Sequence, residues 1–302
     1  MMNVNEVKKV LNGPIASVST PFNKDGSIDY SGLCNYVNFV IDGGSPVVLL
    51  TYGDSLYSIL SDNEIAKITE AVVRQVRKRV VVIAATGRWW TGQCVEFADY
   101  SRNLGVDILM SLPPDWAQFN NNNELIEHYK SIASKIPVML VTSMGSRALP
   151  IPVISELIQK ETRIVAVKDD VCGKYGRKIA GVINEKIAIL SGGLKENYLD
   201  IMPYKVNGYI SVYIRFKPEI AHNFWNAVNN HDINEAVRII QKYEQPFIEE
   251  LSQKTGLDND AVIHASMEIY GVCKRWRRMP YKNANENQME IIRDFISQFD
   301  SI

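Results

Sequence analysis

Ile164-Val165-Ala166-Val167 runs straight into Lys168-Asp169-Asp170. Four β-branched or small apolar residues followed abruptly by charges describe a strand buried on both faces that stops at a rim. Lys168 then has its stem among apolar groups and its amine at the mouth of whatever the strand belongs to. Desolvation disfavours an ammonium and so favours the free amine. A free amine in a pocket attacks a carbonyl carbon and forms a Schiff base. On this segment alone, the competing reading is a rim lysine paired with Asp169 or Asp170.

Outward from that run, the same look recurs at a steady pace. Apolar runs at Pro14–Ser19, Pro46–Leu50, Val80–Ala84, Asp107–Met110 and Pro137–Val141 precede it, and Ile187–Leu190 and Gly208–Val212 follow. Between them the spacing predicts helices over 31–42, 62–77, 92–104, 123–134, 151–160, 174–184, 194–202 and 217–228. Ser61-Asp62-Asn63-Glu64 has capping-box spacing, and Pro150-Ile151-Pro152 suits a first helical turn. Eight strand–helix units in a row predict a parallel sheet closed as a (β/α)₈ TIM barrel. No Gly-x-Gly-x-x-Gly follows the first strand, and no Gly-x-x-x-x-Gly-Lys-Ser/Thr occurs, so the nucleotide-binding alternatives lack their phosphate loops. From about His231 the pattern changes to helical spacing alone: Ala236, Ile239, Ile240, Tyr243, Phe247 and Ile248, then Ala261–Tyr270, then Met289–Phe299. The expectation is a barrel over 1–230 carrying the active site, and a three-helix appendage over 231–302.

Bulk properties exclude several classes. The 302 residues are 46% hydrophobic and 22% charged, with a formal net charge of −1. That composition buries a sizeable core and gives no long-range field for nucleic acid or an anionic membrane. The densest basic stretch, Lys274-Arg275-Trp276-Arg277-Arg278, reads as a solvated helix face or a subunit contact. Cys34, Cys94, Cys172 and Cys273 lie far apart with no CxxC, which suggests neither a disulfide framework nor a zinc site. The opening residues have no apolar signal core and no run of about 18 apolar residues follows. A soluble protein of a reducing cytoplasm is expected.

In such a barrel the chemistry sits where strands end. Those ends read Thr20-Pro21-Phe22; Thr51-Tyr52-Gly53-Asp54-Ser55; Thr86-Gly87-Arg88; Pro113-Pro114-Asp115-Trp116; Thr142-Ser143; Lys168-Asp169-Asp170; Ser191-Gly192-Gly193; and Ser211-Val212-Tyr213. Small hydroxyl residues and glycines suit a pocket whose backbone amides approach an anionic substrate. Trp89-Trp90 and Trp116 invite a stacking role, although adjacent side chains do not easily face one pocket. His128, His222, His231 and His264 fall on predicted helices away from the strand ends. With no His/carboxylate cluster at those ends no metal is expected, and an imine on Lys168, itself the electron sink, would require no organic cofactor.

The order of Thr20-Pro21-Phe22, Asp25-Gly26, Leu60-Ser61-Asp62-Asn63-Glu64, Thr86-Gly87, Ile164 through Asp169, Leu190-Ser191-Gly192-Gly193 and Gly208-Tyr209-Ile210-Ser211-Val212 resembles the dihydrodipicolinate synthase / N-acetylneuraminate lyase family of class I aldolases. The resemblance spans the whole chain. It implies an imine between Lys168 and a 2-oxo acid, usually pyruvate, and a substrate carboxylate bound at the loop after the second strand. It also commonly implies a homo-oligomer, a dimer or a tetramer built as a dimer of dimers. Where the family has Gly-Thr-Thr-Gly-Glu, this chain has Tyr52-Gly53-Asp54-Ser55-Leu56. Where the family has its acid/base tyrosine it has Val141, and Arg147 stands one place beyond the family's arginine. Asp54, Tyr52, Tyr57 and Tyr213 are the groups at strand ends that could move protons instead, and Asp54 has an equal claim as a helix cap. The expected site is Lys168, Asp54 and Tyr52 as catalytic residues, with Gly53, Ser55, Thr20, Thr142, Gly192, Ile210 and Ser211 binding the 2-oxo acid substrate. The expected function is a Schiff-base lyase acting on a 2-oxo acid and its aldol adducts. A hydratase-aldolase for a sugar-derived 2-oxo acid and a non-catalytic binder of 2-oxo acids or acidic sugars are the alternatives.

Overall fold

The computed structural model describes residues 2–114, 121–144 and 147–301. Eight parallel strands close into a barrel: β1 (Gly13–Ser17), β2 (Val47–Leu49), β3 (Val81–Ala85), β4 (Ile108–Ser111), β5 (Val138–Val141), β6 (Ile164–Asp169), β7 (Ala188–Ser191) and β8 (Gly208–Ile210). Each pairs with its sequence neighbour, and β8 closes on β1 through Gly13 opposite Gly208. Gly208 answers a steric need, because a Cβ there would stand 2.4 Å from the Leu11 carbonyl oxygen and 2.5 Å from that of Gly13, whereas Gly13 is required by its φ of +136°. The fold is a (β/α)₈ TIM barrel followed by C-terminal helices, as the alternation of apolar runs and amphipathic segments predicts.

Each strand is a short, mostly apolar run, and nearly every strand side chain is buried on one side or the other. The amphipathic segments form α2 (Tyr30–Asp42), α3 (Asp62–Val76), α4 (Thr91–Leu104), α5 (Asn122–Ala133), α6 (Ile151–Lys160), α7 (Gly173–Ile183), α8 (Lys195–Ile201) and α9 (Pro218–Asn229). They lay stripes such as Ile65, Ile68, Val72 and Val76 on the barrel. Ser61 and Glu64 do form the expected capping box. His231 lies past the end of α9 rather than on a helix.

One helix is not foreseen. Before the first strand, α1 (Val4–Val10) covers the bottom of the barrel, and its Lys8 Nζ donates to the carbonyls of Asn184 (3.1 Å) and Glu185 (2.8 Å) just past the end of α7. An ammonium on the free carbonyls of a helix C-terminus is the favourable end for it.

After α9 the chain continues as one helical rod: α10 (Ile233–Ile239), π-helical turns at Ile240–Glu244 and Pro246–Glu250, then α11 (Leu251–Thr255). α12 (Asn259–Ile269) and α13 (Glu286–Ser297) complete the block. The basic stretch between α12 and α13 is not helical, and apart from the exposed Lys274 its cations are buried or half-buried in ion pairs. Arg277 is buried against Asp258 (2.9 Å), Arg275 pairs with Glu268 (2.5 Å) and Glu286, and Lys274 reaches Asp29 (3.1 Å). Arg278 forks onto both oxygens of Glu64 (2.6 and 2.9 Å) and donates to the Gly26 carbonyl. The cluster of cations is a strap tying the C-terminal block to the top of the barrel.

That strap has a pH signature. The Arg278 fork, against the opposing effect of partial burial, holds the Glu64 carboxyl down to about 2 from an ordinary 4.5. A depressed carboxyl contributes stability above its unfolded value and loses it as pH falls through the folded one. Urea unfolding of the wild type is therefore expected to weaken between pH 4.5 and about 2 more than that of Glu64→Gln. Parallel curves in that window contradict this.

Candidate active site

Lys168 stands at the carboxyl end of β6, buried to 9% exposure, with Val141 of β5 and Leu190 of β7 as its register partners. An apolar residue therefore sits beside the lysine. The Nζ lies 2.5 Å from both carboxylate oxygens of Asp170. The ion pair of the competing reading is present, and it does not withdraw the lysine from the barrel mouth. Lys168 lines two cavities at once, one on each side of it.

The first cavity, about 250 Å³, lies toward β2–β5 and is lined by Tyr52, Gly53, Asp54, Arg88, Val141 and Ser143 besides Lys168 and Asp170. Its cations among the described lining residues are Lys168 and Arg88, whose guanidinium sits 5.3 Å over the Tyr52 ring. The second, about 270 Å³, lies toward the C-terminal block, between Ile210 at the end of β8, Val212 and Arg215 after it, and Phe247, Ile248, Asn259, Asp260 and Ile263. Asp54, Lys168 and Asp170 border both.

Asp54 is fixed by a partner far away in sequence. Arg215, itself buried, pairs with it at 2.9 Å and also donates to the Ser17 hydroxyl. Burial pushes the Asp54 carboxyl up, but Arg215, Ser17 and Lys168 outweigh it and hold the group below the usual carboxylate range. Asp54 is thus a persistent carboxylate beside the lysine, suited to accept a proton. It does not cap α3, whose cap is Ser61.

The residues expected to bind substrate divide into two sets. Gly53 and Ile210 face the cavities. Thr20, Ser55, Thr142, Gly192 and Ser211 do not line them, and the first four build the floor instead. The Thr20 hydroxyl donates to the Ser55 carbonyl (2.7 Å), and the Ser55 hydroxyl donates to the Val18 carbonyl (2.5 Å) while accepting from the Thr51 amide (3.0 Å). Thr142 Oγ1 donates to Asp169 (3.0 Å) and accepts from the Asp170 amide (2.9 Å), so it sets the turn that aims Asp170. Gly192 donates its N–H to the Asp169 carbonyl, and a Cβ there would lie 2.0 Å from an Asp170 oxygen. Its role is to make room for that carboxylate. Ser211 is buried and donates its N–H to the Ile15 carbonyl.

The loop amides are also committed. Asp54 N–H donates to Thr51 Oγ1 (3.0 Å) and Ser55 N–H to the Thr51 carbonyl (3.3 Å), which leaves the expected carboxylate cradle without those two donors. Of the tyrosines, Tyr52 lines the first cavity, whereas Tyr57 is buried edge-on beneath its ring. Tyr213 is fully buried and donates to the Tyr243 carbonyl (2.8 Å), out of reach of the mouth. Trp89 packs on Phe97 of α4, Trp90 is exposed, and Trp116 lies outside the described residues. Arg88, Arg215 and Asp260 are cavity-lining residues that sequence reading misses. Arg88 had a signal in its place at the third strand end; the other two had none.

A (β/α)₈ barrel with a buried lysine closing its sixth strand places an amine on the face where barrels of this fold carry their chemistry. The sequence profile of the dihydrodipicolinate synthetase family matches residues 10–299. The chain is 29% identical to a 4-hydroxy-tetrahydrodipicolinate synthase of Methanosarcina barkeri over 93% of its length and 96% of the relative's. It is 27% identical to one of Geobacter sp. strain M21, over 89% and 91%. Among solved structures, N-acetylneuraminate lyase from Fusobacterium nucleatum complexed with pyruvate superposes with a TM-score of 0.83 at 21% identity, covering 96% of this chain and 97% of that one. Dihydrodipicolinate synthase from Aquifex aeolicus gives 0.82 at 22% identity, covering 96% and 98%. The chain belongs to the dihydrodipicolinate synthetase family. Among the described residues, no helix is long and apolar enough to cross a membrane.

Proposed function

We propose that the protein is a class I lyase that forms a Schiff base with pyruvate or another 2-oxo acid and makes or breaks its aldol adducts. One observation carries the reading. The amine of Lys168 borders two cavities, one with a cationic far wall and one large enough for a second reactant.

The substrate carboxylate takes the Arg88 side, because the amides of Asp54 and Ser55 are turned to Thr51. Tyr52, stacked under Arg88, is the wall that holds the guanidinium in place. As the ketone carbon approaches, Lys168 passes its ammonium proton to Asp170 and attacks; loss of water gives the iminium. Asp54, kept ionised by Arg215, takes the proton from the adjacent carbon to leave the enamine, which adds to an aldehyde. The iminium supplies the electron sink, so these steps call for no cofactor. The names of the relatives and the pyruvate in the Fusobacterium lyase support a 2-oxo acid. The relatives' aldehyde is not carried over, since Val141 and Asp54 change the proton-handling groups around it. Unpaired Cys34, Cys94, Cys172 and Cys273 support a reducing, cytoplasmic setting, and the family supports a homo-oligomer.

Arg88→Met is expected to raise the pyruvate concentration needed for half-maximal borohydride trapping by roughly 10- to 100-fold, the worth of a hydrogen bond to a charged group. Trapping at saturating pyruvate stays intact. An unchanged concentration dependence places the carboxylate elsewhere.

A further inference from the structure

We propose that Asp260 is the acid/base residue that serves the aldehyde oxygen in this site. The inference rests on the Schiff-base reading above. Condensation leaves an alkoxide that must gain a proton, and cleavage requires a hydroxyl that must lose one. Val141, beside Lys168, can do neither.

The ionisable groups around the lysine narrow the choice. Tyr57 and Tyr213 are locked in packing, and Tyr52 lines the other cavity beneath Arg88, away from the one that would hold the aldehyde. Asp54 is bound to Arg215 and held as a carboxylate, and both oxygens of Asp170 are taken up by Lys168. Asp260 stands in the first turn of α12 and lines the same cavity as Lys168. Among the described residues its carboxyl has no hydrogen-bond or ion-pair partner, although every neighbouring charge is engaged. The groups facing it are Asp54 from the loop after β2, Arg215 from the turn after β8, Arg277 from the strap and Asp258 at the start of its own helix, with Lys168 and Asp170 across the cavity. Burial pushes its carboxyl up, the Asp54 carboxylate adds to this, and the two arginines offset only part. A carboxyl so placed keeps a proton to donate at higher pH than an ordinary aspartate does.

The step balances in both directions. In condensation the enamine carbon bonds to the aldehyde carbon, the carbonyl π pair moves to oxygen, and that oxygen takes the proton of Asp260. In cleavage the Asp260 carboxylate takes the hydroxyl proton, the carbon–carbon bond breaks, and its electron pair returns to the iminium. The same cavity indicates the aldehyde's class. Ile210, Val212, Phe247, Ile248 and Ile263 give apolar walls, and its three carboxylates face only Lys168 and Arg215, which are already paired. A second anionic group is unwelcome there, so the aldehyde is uncharged.

The test uses the full-length protein with pyruvate and, in turn, glyceraldehyde, benzaldehyde and the anionic succinic semialdehyde, with adducts read by mass spectrometry. Wild type is expected to condense pyruvate with a neutral aldehyde in preference to the anionic one. Asp260→Asn is expected to lower that rate about 100-fold while borohydride still traps pyruvate at the wild-type rate. Asp260→Glu, which keeps the carboxyl, is expected to recover part of the rate, with a rate–pH profile displaced from that of wild type. A rate within threefold of wild type in Asp260→Asn overturns the proposal. So does equal loss of trapping and condensation in both variants, or a wild type that traps pyruvate but uses no neutral aldehyde. Failure of the wild type to trap pyruvate overturns the Schiff-base reading instead, and the two failures are distinguishable.

Discussion

Lys168→Arg is expected to fold normally and to condense nothing above the uncatalysed background. The guanidinium keeps a cation against the rim carboxylate of Asp170, so the ion pair is retained and melting should stay close to wild type. Arginine does not lose its proton in proteins and cannot form the imine, which removes the covalent route. The variant therefore separates charge from nucleophilicity at one position. Condensation retained within tenfold of wild type, measured on pyruvate with the best neutral aldehyde, shows that the amine is not the nucleophile.

The largest stability effect is expected at a buried pair outside the cavities. Lys195 of α8 is fully buried, and its Nζ lies 2.6 Å from Glu244 of the C-terminal rod, whose other oxygen accepts the Lys195 N–H at 2.7 Å. The ammonium also rests 4.3 Å over the Tyr213 ring. Burial lowers the Lys195 pKa, and Glu244 offsets part of that effect. Removing one partner of such a pair strands the other charge and costs about 3–5 kcal/mol. Lys195→Met alone is expected to show that loss in guanidinium unfolding. Lys195→Met with Glu244→Gln is expected to recover most of it, because the amide oxygen still accepts the backbone N–H and no buried charge remains. A double variant as unstable as the sum of the two single variants contradicts this. The pair matters to the site because Glu244 ends the first π-helical turn, and Phe247 and Ile248 of the next turn wall the second cavity.

The barrel was legible in the chain because each strand is a short apolar run stopping at a rim, and each helix an amphipathic stripe. That pattern depends only on neighbours in sequence. It identified Lys168 for the same reason, since an abrupt change from Val167 to a charge marks the mouth. α1 was not legible: seven residues with Val7 alone buried carry no period. The strap around Arg277 was misread because a run of cations gives no hint of distant carboxylates such as Asp258 and Glu64.

Within the site the limit is geometric. Thr20, Ser55 and Thr142 sit at strand ends as expected, but whether a hydroxyl faces the cavity or the backbone depends on one rotamer and on a partner strand. Arg215 and Asp260 were invisible because their meaning lies in Asp54 and in the cavity that β8 and α12 enclose together. Asp54 was legible as an acidic group at its strand end; only the structure supplies the cation that keeps it ionised.

Borohydride reduction of the wild-type protein with pyruvate, followed by peptide mass spectrometry, tests the central claim most directly. The mass of one reduced pyruvate on the peptide containing Lys168, and none on that peptide in Lys168→Arg, is the predicted result. Unmodified Lys168 with pyruvate and with other 2-oxo acids, at concentrations that saturate related lyases, contradicts the account.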